Sequence, residues 1–208
     1  MDHVVVDVEI QKAIEETPGG WDATDKLGVA VACLWEERGR RMRVYGPDDV
    51  GALRERLLAA DRISGYNIWN FDFPVVWGIA KPEWLKPGQK IAALRFKLKV
   101  KTNDLLGRIW KALGFDPDSD DYHSRPKAGG CKLDDIASAT IGAKKIGNGA
   151  DAPVWYQAGQ VQRVVNYCCD DVCLERDLTD FVDRYGYVIV EGKRLLIPAW
   201  RIWGVRDG

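Results

Sequence analysis

His3-Val4-Val5-Val6-Asp7-Val8-Glu9 stands almost at the start of the chain. The valines form an apolar, β-branched run of the kind that makes a buried strand, and acids mark its tip. Residues two apart on a strand share a face, so Asp7 and Glu9 project together. Two carboxylates side by side repel each other unless a cation neutralises them. All-oxygen ligands favour Mg²⁺ or Mn²⁺ over zinc. The competing explanation is a solvated strand end with two surface acids, and this motif alone leaves both open.

From this strand, His3–Val8, the pattern continues with a second strand at 28–35 and a third at 41–45. A helix capped by Asp48 or Asp49 follows, with Val50, Leu53, Leu57 and Leu58 at helical spacing. The sequence predicts a fourth strand over 62–67 and a helix from Phe73 to Ile79, with Pro74 tolerated in its first turn. The stretch 81–90, rich in Pro, Lys and Gly, reads as a loop. The alternation over 97–102 reads as a strand leading into a helix over 104–113. A polar stretch at 116–130 is expected to be a mobile loop that exposes His123, and 133–140 a helix. The Gly/Lys stretch 142–152 reads as a loop. The longest helical pattern covers 160–184, and 187–190 with 194–197 form a closing hairpin. Strands in succession, then strands alternating with helices, indicate a mixed sheet covered by helices.

The 208 residues suffice for one well-cored α/β domain. No apolar run approaches the ~20 residues of a membrane span. The first residues lack the basic segment of a signal peptide. The five cysteines, Cys33, Cys131, Cys168, Cys169 and Cys173, are odd in number and contain no C-x-x-C pair. They read as reduced thiols of a cytoplasmic protein. Net charge is −1, so charge alone announces no nucleic-acid partner. Its distribution is uneven, however. Lys81, Lys86, Lys90, Arg95, Lys97, Lys99 and Lys101 face a single acid, Glu83, and a second basic group comprises Arg125, Lys127, Lys132, Lys144 and Lys145. Such runs are solvated faces unless an acidic centre lies beside them.

A second motif, Gly65-Tyr66-Asn67-Ile68-Trp69-Asn70-Phe71-Asp72-Phe73-Pro74, sits where a strand gives way to a helix, a usual place for active-site groups. Asp72 there is either a functional acid or a helix cap. Phe71 and Phe73 read as core, whereas Trp69 either packs or stacks on a base. A third motif, Tyr167-Cys168-Cys169-Asp170-Asp171, puts Tyr167 and Asp171 on one helix face, since residues four apart share it. A phenol so placed can aim a metal-bound water. The bland alternative is an amphipathic helix with a tyrosine at the edge of the core.

Taken together, D-x-E, N-x-x-x-F-D and Y-x-x-x-D in this order resemble the exonuclease superfamily named for its four acids, Asp-Glu-Asp-Asp. The wording of the second motif is similar to the proofreading exonuclease domains of family B DNA polymerases, and Tyr167-Cys168-x-x-Asp171 with Leu174 continues the likeness. Lys132-Leu133-Asp134-Asp135-Ile136-Ala137, Lys145 to Gly149, and Trp155-Tyr156-Gln157-Ala158-Gly159 look like stand-alone bacterial or phage relatives. The likeness runs from Val4 to about Val190, within a single domain taken as 1–208.

The resemblance implies an α/β, RNase H-like fold: a mixed β-sheet, three antiparallel strands then parallel strands, flanked by α-helices. It also implies two divalent cations, Mg²⁺ or Mn²⁺. Carried over by position, Asp7, Glu9 and Asp171 bind the ion on the nucleophile side, and Asp7 with Asp72 helps hold the other. Tyr167 orients the attacking water, because His3 and His123 are not placed for the histidine variant of the family. Spacing and family both favour Asp171 over Asp170. Asp104 is expected to cap or support rather than ligate. Asn67, Trp69, Asn70, Lys144 and Lys145 are candidate substrate contacts, since Lys and Arg screen phosphate charge without reading sequence. The segment 142–149 lacks the Lys-Ser/Thr that a phosphate loop requires.

The expected partner is the 3′ end of single-stranded DNA or RNA, supplied directly or by a polymerase or helicase, with no membrane involved. The rival readings are a non-catalytic nucleic-acid- or partner-binding module and a structure-selective endonuclease.

Overall fold

The computed structural model describes residues 1–116 and 131–200. The expectations for the loop at 116–130 and for His123 fall on residues outside these, save Asp116. Strands β1 (His3–Ile10), β2 (Val29–Glu36), β3 (Arg41–Tyr45), β4 (Arg62–Gly65) and β5 (Thr102–Asp104) form one sheet in the order β3-β2-β1-β4-β5. β1 to β3 are antiparallel, while β4 and β5 run parallel to β1. This is the mixed sheet that the sequence led us to expect, with helices flanking it. A separate hairpin pairs β6 (Tyr187–Val190) with β7 (Lys193–Leu196).

Alternation along β1 divides its side chains between two layers. Val4, Val6 and Val8 bury into a core shared with Leu53 and Leu57 of α1 (Val50–Ala59) and with Phe73, Val75 and Val76 of α2 (Asp72–Trp77). Val5 faces the other way. It packs with Val31 and Cys33 against Ala152 of α7 (Ala152–Gln157) and against Val164, Cys168 and Val172 of α8 (Val161–Tyr185). Each valine taken fully out of water contributes roughly 1.5–3 kcal/mol, so a one-residue slip of register would be costly. Asp7 and Glu9 share Val5's parity and are thereby directed toward α8.

Three local readings need correction. The stretch 81–90 is not a loop: α3 (Lys81–Leu85) and the start of α4 (Gln89–Lys99) occupy it. Pro82 sits in the first turn of α3, where its missing N–H costs nothing, and Gly88 is the N-cap of α4. Residues 97–99 belong to α4 rather than to a strand, and only Thr102–Asp104 pair with β4. Finally, β4 stops at Gly65, not Asn67. The remaining helices are α5 (Leu105–Ala112) and α6 (Leu133–Ile141). Among the described residues no helix is long and apolar enough to cross a membrane.

Candidate metal centre

β4 pairs with β1 only along His3–Val5. Beyond that point the chain turns away after Gly65, and a backbone kink at Asn67, whose φ is +66°, brings it round to α2. Asp104 holds this turn: its carboxylate accepts the N–H groups of Asn67 and Trp69, each at 2.9 Å, and that of Gly107 in α5 at 3.3 Å. Asp104 is a fully occupied capping acid. The turn delivers Asp72 beside β1, where the Val8 N–H acts on both the Asp7 and the Asp72 carboxyls. Asp72 is not the cap of α2, since Phe71 takes the N-cap position and Asp72 is the first helical residue.

α8 crosses the opposite side of β1. Its Tyr167, Asp171 and Glu175, four residues apart, are all buried, while Asp170 is exposed. Carboxylate oxygens of Asp7, Glu9 and Asp171 all lie within 4.8 Å of one another, a grouping that can hold a metal ion. Asp7 Oδ2, Asp72 Oδ1 and Asp171 Oδ1 are buried without a hydrogen-bond partner. Unsatisfied buried oxygens of Asp7 and Asp171, in the group that Glu9 completes, are what a divalent cation would satisfy, so these three residues fit such an ion, while Asp72 lies outside that group.

Burial, then the charge of Asp171, pushes the Asp7 carboxyl up to about 7. Burial and the charge of Asp7 hold Glu9 and Asp72 well above the carboxylate range. One cation relieves the cluster: Lys145 Nζ lies 2.6 Å from Asp171 Oδ2. Burial opposes the ammonium, but the carboxylates of Asp171 and Asp7 overcome that cost and raise its pKa. Asp134, in the first turn of α6, fixes Lys145 by accepting its backbone N–H at 2.8 Å. The same segment then lies along Tyr167. A Cβ on Gly147 would sit 3.2 Å from the Tyr167 ring, and its φ of +147° also demands glycine. Trp155 packs edge-on against the same ring at 5.7 Å. Burial raises the Tyr167 phenol, which stays a neutral hydroxyl near Lys145 and Asp171.

The substrate-contact candidates fare unequally. Lys145 joins the acidic cluster, and Lys144 is exposed. Trp69 packs edge-on to Phe73 and Trp84 with Arg95 over its face, so it is core rather than a base-stacking surface. Asn70 is buried, its amide 3.4 Å from Asn67 Oδ1, so the pair shapes the turn. Phe71, expected in the core, is half-buried against the solvent-exposed Trp21. Sequence reasoning missed Glu175. The available signal was an acid four residues after Asp171, on the helix face that points inward.

No protein-family profile matches the chain, and no curated protein matches it in sequence. Among solved structures, the family B DNA polymerase from the hyperthermophilic archaeon Pyrobaculum calidifontis superimposes with a TM-score of 0.55 at 16% identity. The match covers 88% of this chain and 24% of that polymerase. The chain thus has the fold of a region within a family B DNA polymerase, and it carries an acidic cluster able to hold a metal ion.

Proposed function

We propose that the protein is a metal-dependent 3′–5′ exonuclease that removes nucleotides from the 3′ end of single-stranded DNA or RNA. The observation that carries this reading is the convergence of the Asp7, Glu9 and Asp171 carboxylates, with Asp7 Oδ2 and Asp171 Oδ1 unsatisfied and the Lys145 ammonium on Asp171. Asp7, Glu9 and Asp171 would hold one divalent cation, and Asp72 with Asp7 a second. Bound Mg²⁺ or Mn²⁺ would supply the positive charge that activates water and stabilises the attacking and leaving oxygens of a phosphodiester.

The chain's own residues do the rest. Tyr167, packed by Gly147 and Trp155, keeps its hydroxyl beside Asp171, where it can accept or donate a hydrogen bond to the attacking water and fix its direction. Lys145 brings a positive charge within reach of the scissile phosphate. Trp21, exposed and packed on the residue before Asp72, offers a face on which a terminal base can stack.

The direct test follows mononucleotide release from 3′-labelled DNA and RNA oligonucleotides with Mg²⁺ or Mn²⁺. Release by the parent and none by Asp7→Ala is expected. Equal release by both would refute the assignment. A cut circular substrate would favour an endonuclease instead.

A further inference from the structure

Glu175 is a buried acid for which the metal-binding set just proposed has no use. It lies one helical turn beyond Asp171 on α8 and is only 3% exposed. Its Oε2 has no hydrogen-bond partner among the described residues. It lies against the end of β4: a Cβ on Gly65, which the Ile68 side chain and the Val6 carbonyl at 2.8 Å already forbid, would stand 3.4 Å from that oxygen. Burial holds its carboxyl well above the usual carboxylate range; the charges of Asp7, Asp72 and Asp171 push the same way and Lys145 opposes them, so the group gains its charge when cations balance the cluster. Asp104 shows what a purely structural buried acid looks like here, with backbone donors on its oxygens. Glu175 Oε2 has none.

Leaving a carboxyl oxygen buried and unpaired costs stability, because the group loses its water without gaining a partner. A long acid on the inner face of α8 is therefore hard to explain by folding alone. Charge gives a reason. With Asp7, Glu9, Asp72 and Asp171 ionised, the Lys145 ammonium cancels one of their charges and leaves the centre short of balancing two divalent cations. Glu175 adds a further negative charge beside these acids, bringing the centre nearer to what two such ions carry.

We propose that Glu175 is a fifth acid of this centre. It is a positioning residue beneath the four ligands that tightens divalent-cation binding through its charge, without touching the substrate.

This inference rests on the metal-centre reading, so its test measures cation binding rather than turnover. Mn²⁺ binding to the full chain is followed by calorimetry for the parent, Asp7→Asn, Glu175→Gln and Glu175→Met, alongside the melting temperature of each without metal. Outer residues of metal sites typically contribute about 10–100-fold in affinity. Both Glu175 variants are expected to bind Mn²⁺ at least about tenfold more weakly while melting no lower than the parent in the absence of metal. Binding within about twofold of the parent would overturn the role of Glu175 alone, given the 10–100-fold expected. Variants that melt well below the parent or fail to fold would also overturn it, because they mark a structural acid. A parent that binds no Mn²⁺, or binds it as Asp7→Asn does, would overturn the metal centre itself.

Discussion

Lys145 Nζ and Asp171 Oδ2 are 2.6 Å apart, a cation held inside a cluster of carboxylates by a residue from a different part of the chain. The pair is mostly buried, and removing one partner of a buried pair strands the other. Lys145→Met should lower the melting temperature of the protein in EDTA. Saturating Mg²⁺ should recover most of the loss, because a divalent ion can replace the missing charge. Thermal melts of parent and variant with and without Mg²⁺ check this, and an equal loss in both conditions would count against it.

Asp170 and Asp171 are neighbours in sequence with opposite surroundings, exposed and buried respectively. Asp170→Ala is expected to keep most nuclease activity. Asp171→Ala should lose at least ~10²-fold, the scale of a lost metal clamp. Initial rates on a labelled oligonucleotide separate the two, and similar rates for both variants would argue against Asp171.

Trp69 belongs to an aromatic cluster with Phe73 and Trp84, and its backbone carbonyl accepts the Trp84 indole N–H at 2.7 Å. Trp69→Ala should therefore destabilise the protein by roughly 3–5 kcal/mol, as large-to-small core changes do. Denaturant unfolding measures this. A neutral effect on stability with weakened oligonucleotide binding would return Trp69 to the substrate surface.

His3 sits 2.8 Å from Ser64 Oγ, and burial, then the charge of Arg62, lowers its pKa from 6.5 to about 4. Unfolding lets it protonate at its ordinary value. The folded state is therefore progressively penalised as pH falls from 6.5 to about 4, and the full penalty is reached below that. His3→Gln lacks this titration. The stability of the parent relative to His3→Gln should fall across that window and stay level above it, as read from denaturant melts at a series of pH values. Parallel curves would show that His3 is not held neutral.

Much of the fold and part of the site could be read from the chain. Asp7 and Glu9 were legible because strand alternation fixes their shared face, and Tyr167 with Asp171 because the helical repeat does the same. The long helix α8 announced itself through an uninterrupted periodicity. Other features were hidden for physical reasons. Pro82 and Gly88 look like loop residues, yet each is compatible with a helix start. The alternation in Lys97-Leu98-Lys99-Val100 mimics a strand, although one buried Leu98 suffices to seat the end of α4. Lys145 meets Asp171 from a segment whose backbone Asp134 holds across a gap in sequence, which no local pattern encodes. Trp69 gave no sign of whether it would pack or stack until Trp84 was brought beside it.

The most direct measurement is the shortening of a 5′-labelled single-stranded oligonucleotide by the parent protein with Mg²⁺ or Mn²⁺, compared with EDTA and with Asp7→Ala. A ladder that descends one nucleotide at a time from the 3′ end, present only with metal and only in the parent, is the predicted result. An unshortened strand under every condition, or the same ladder from Asp7→Ala, would contradict it.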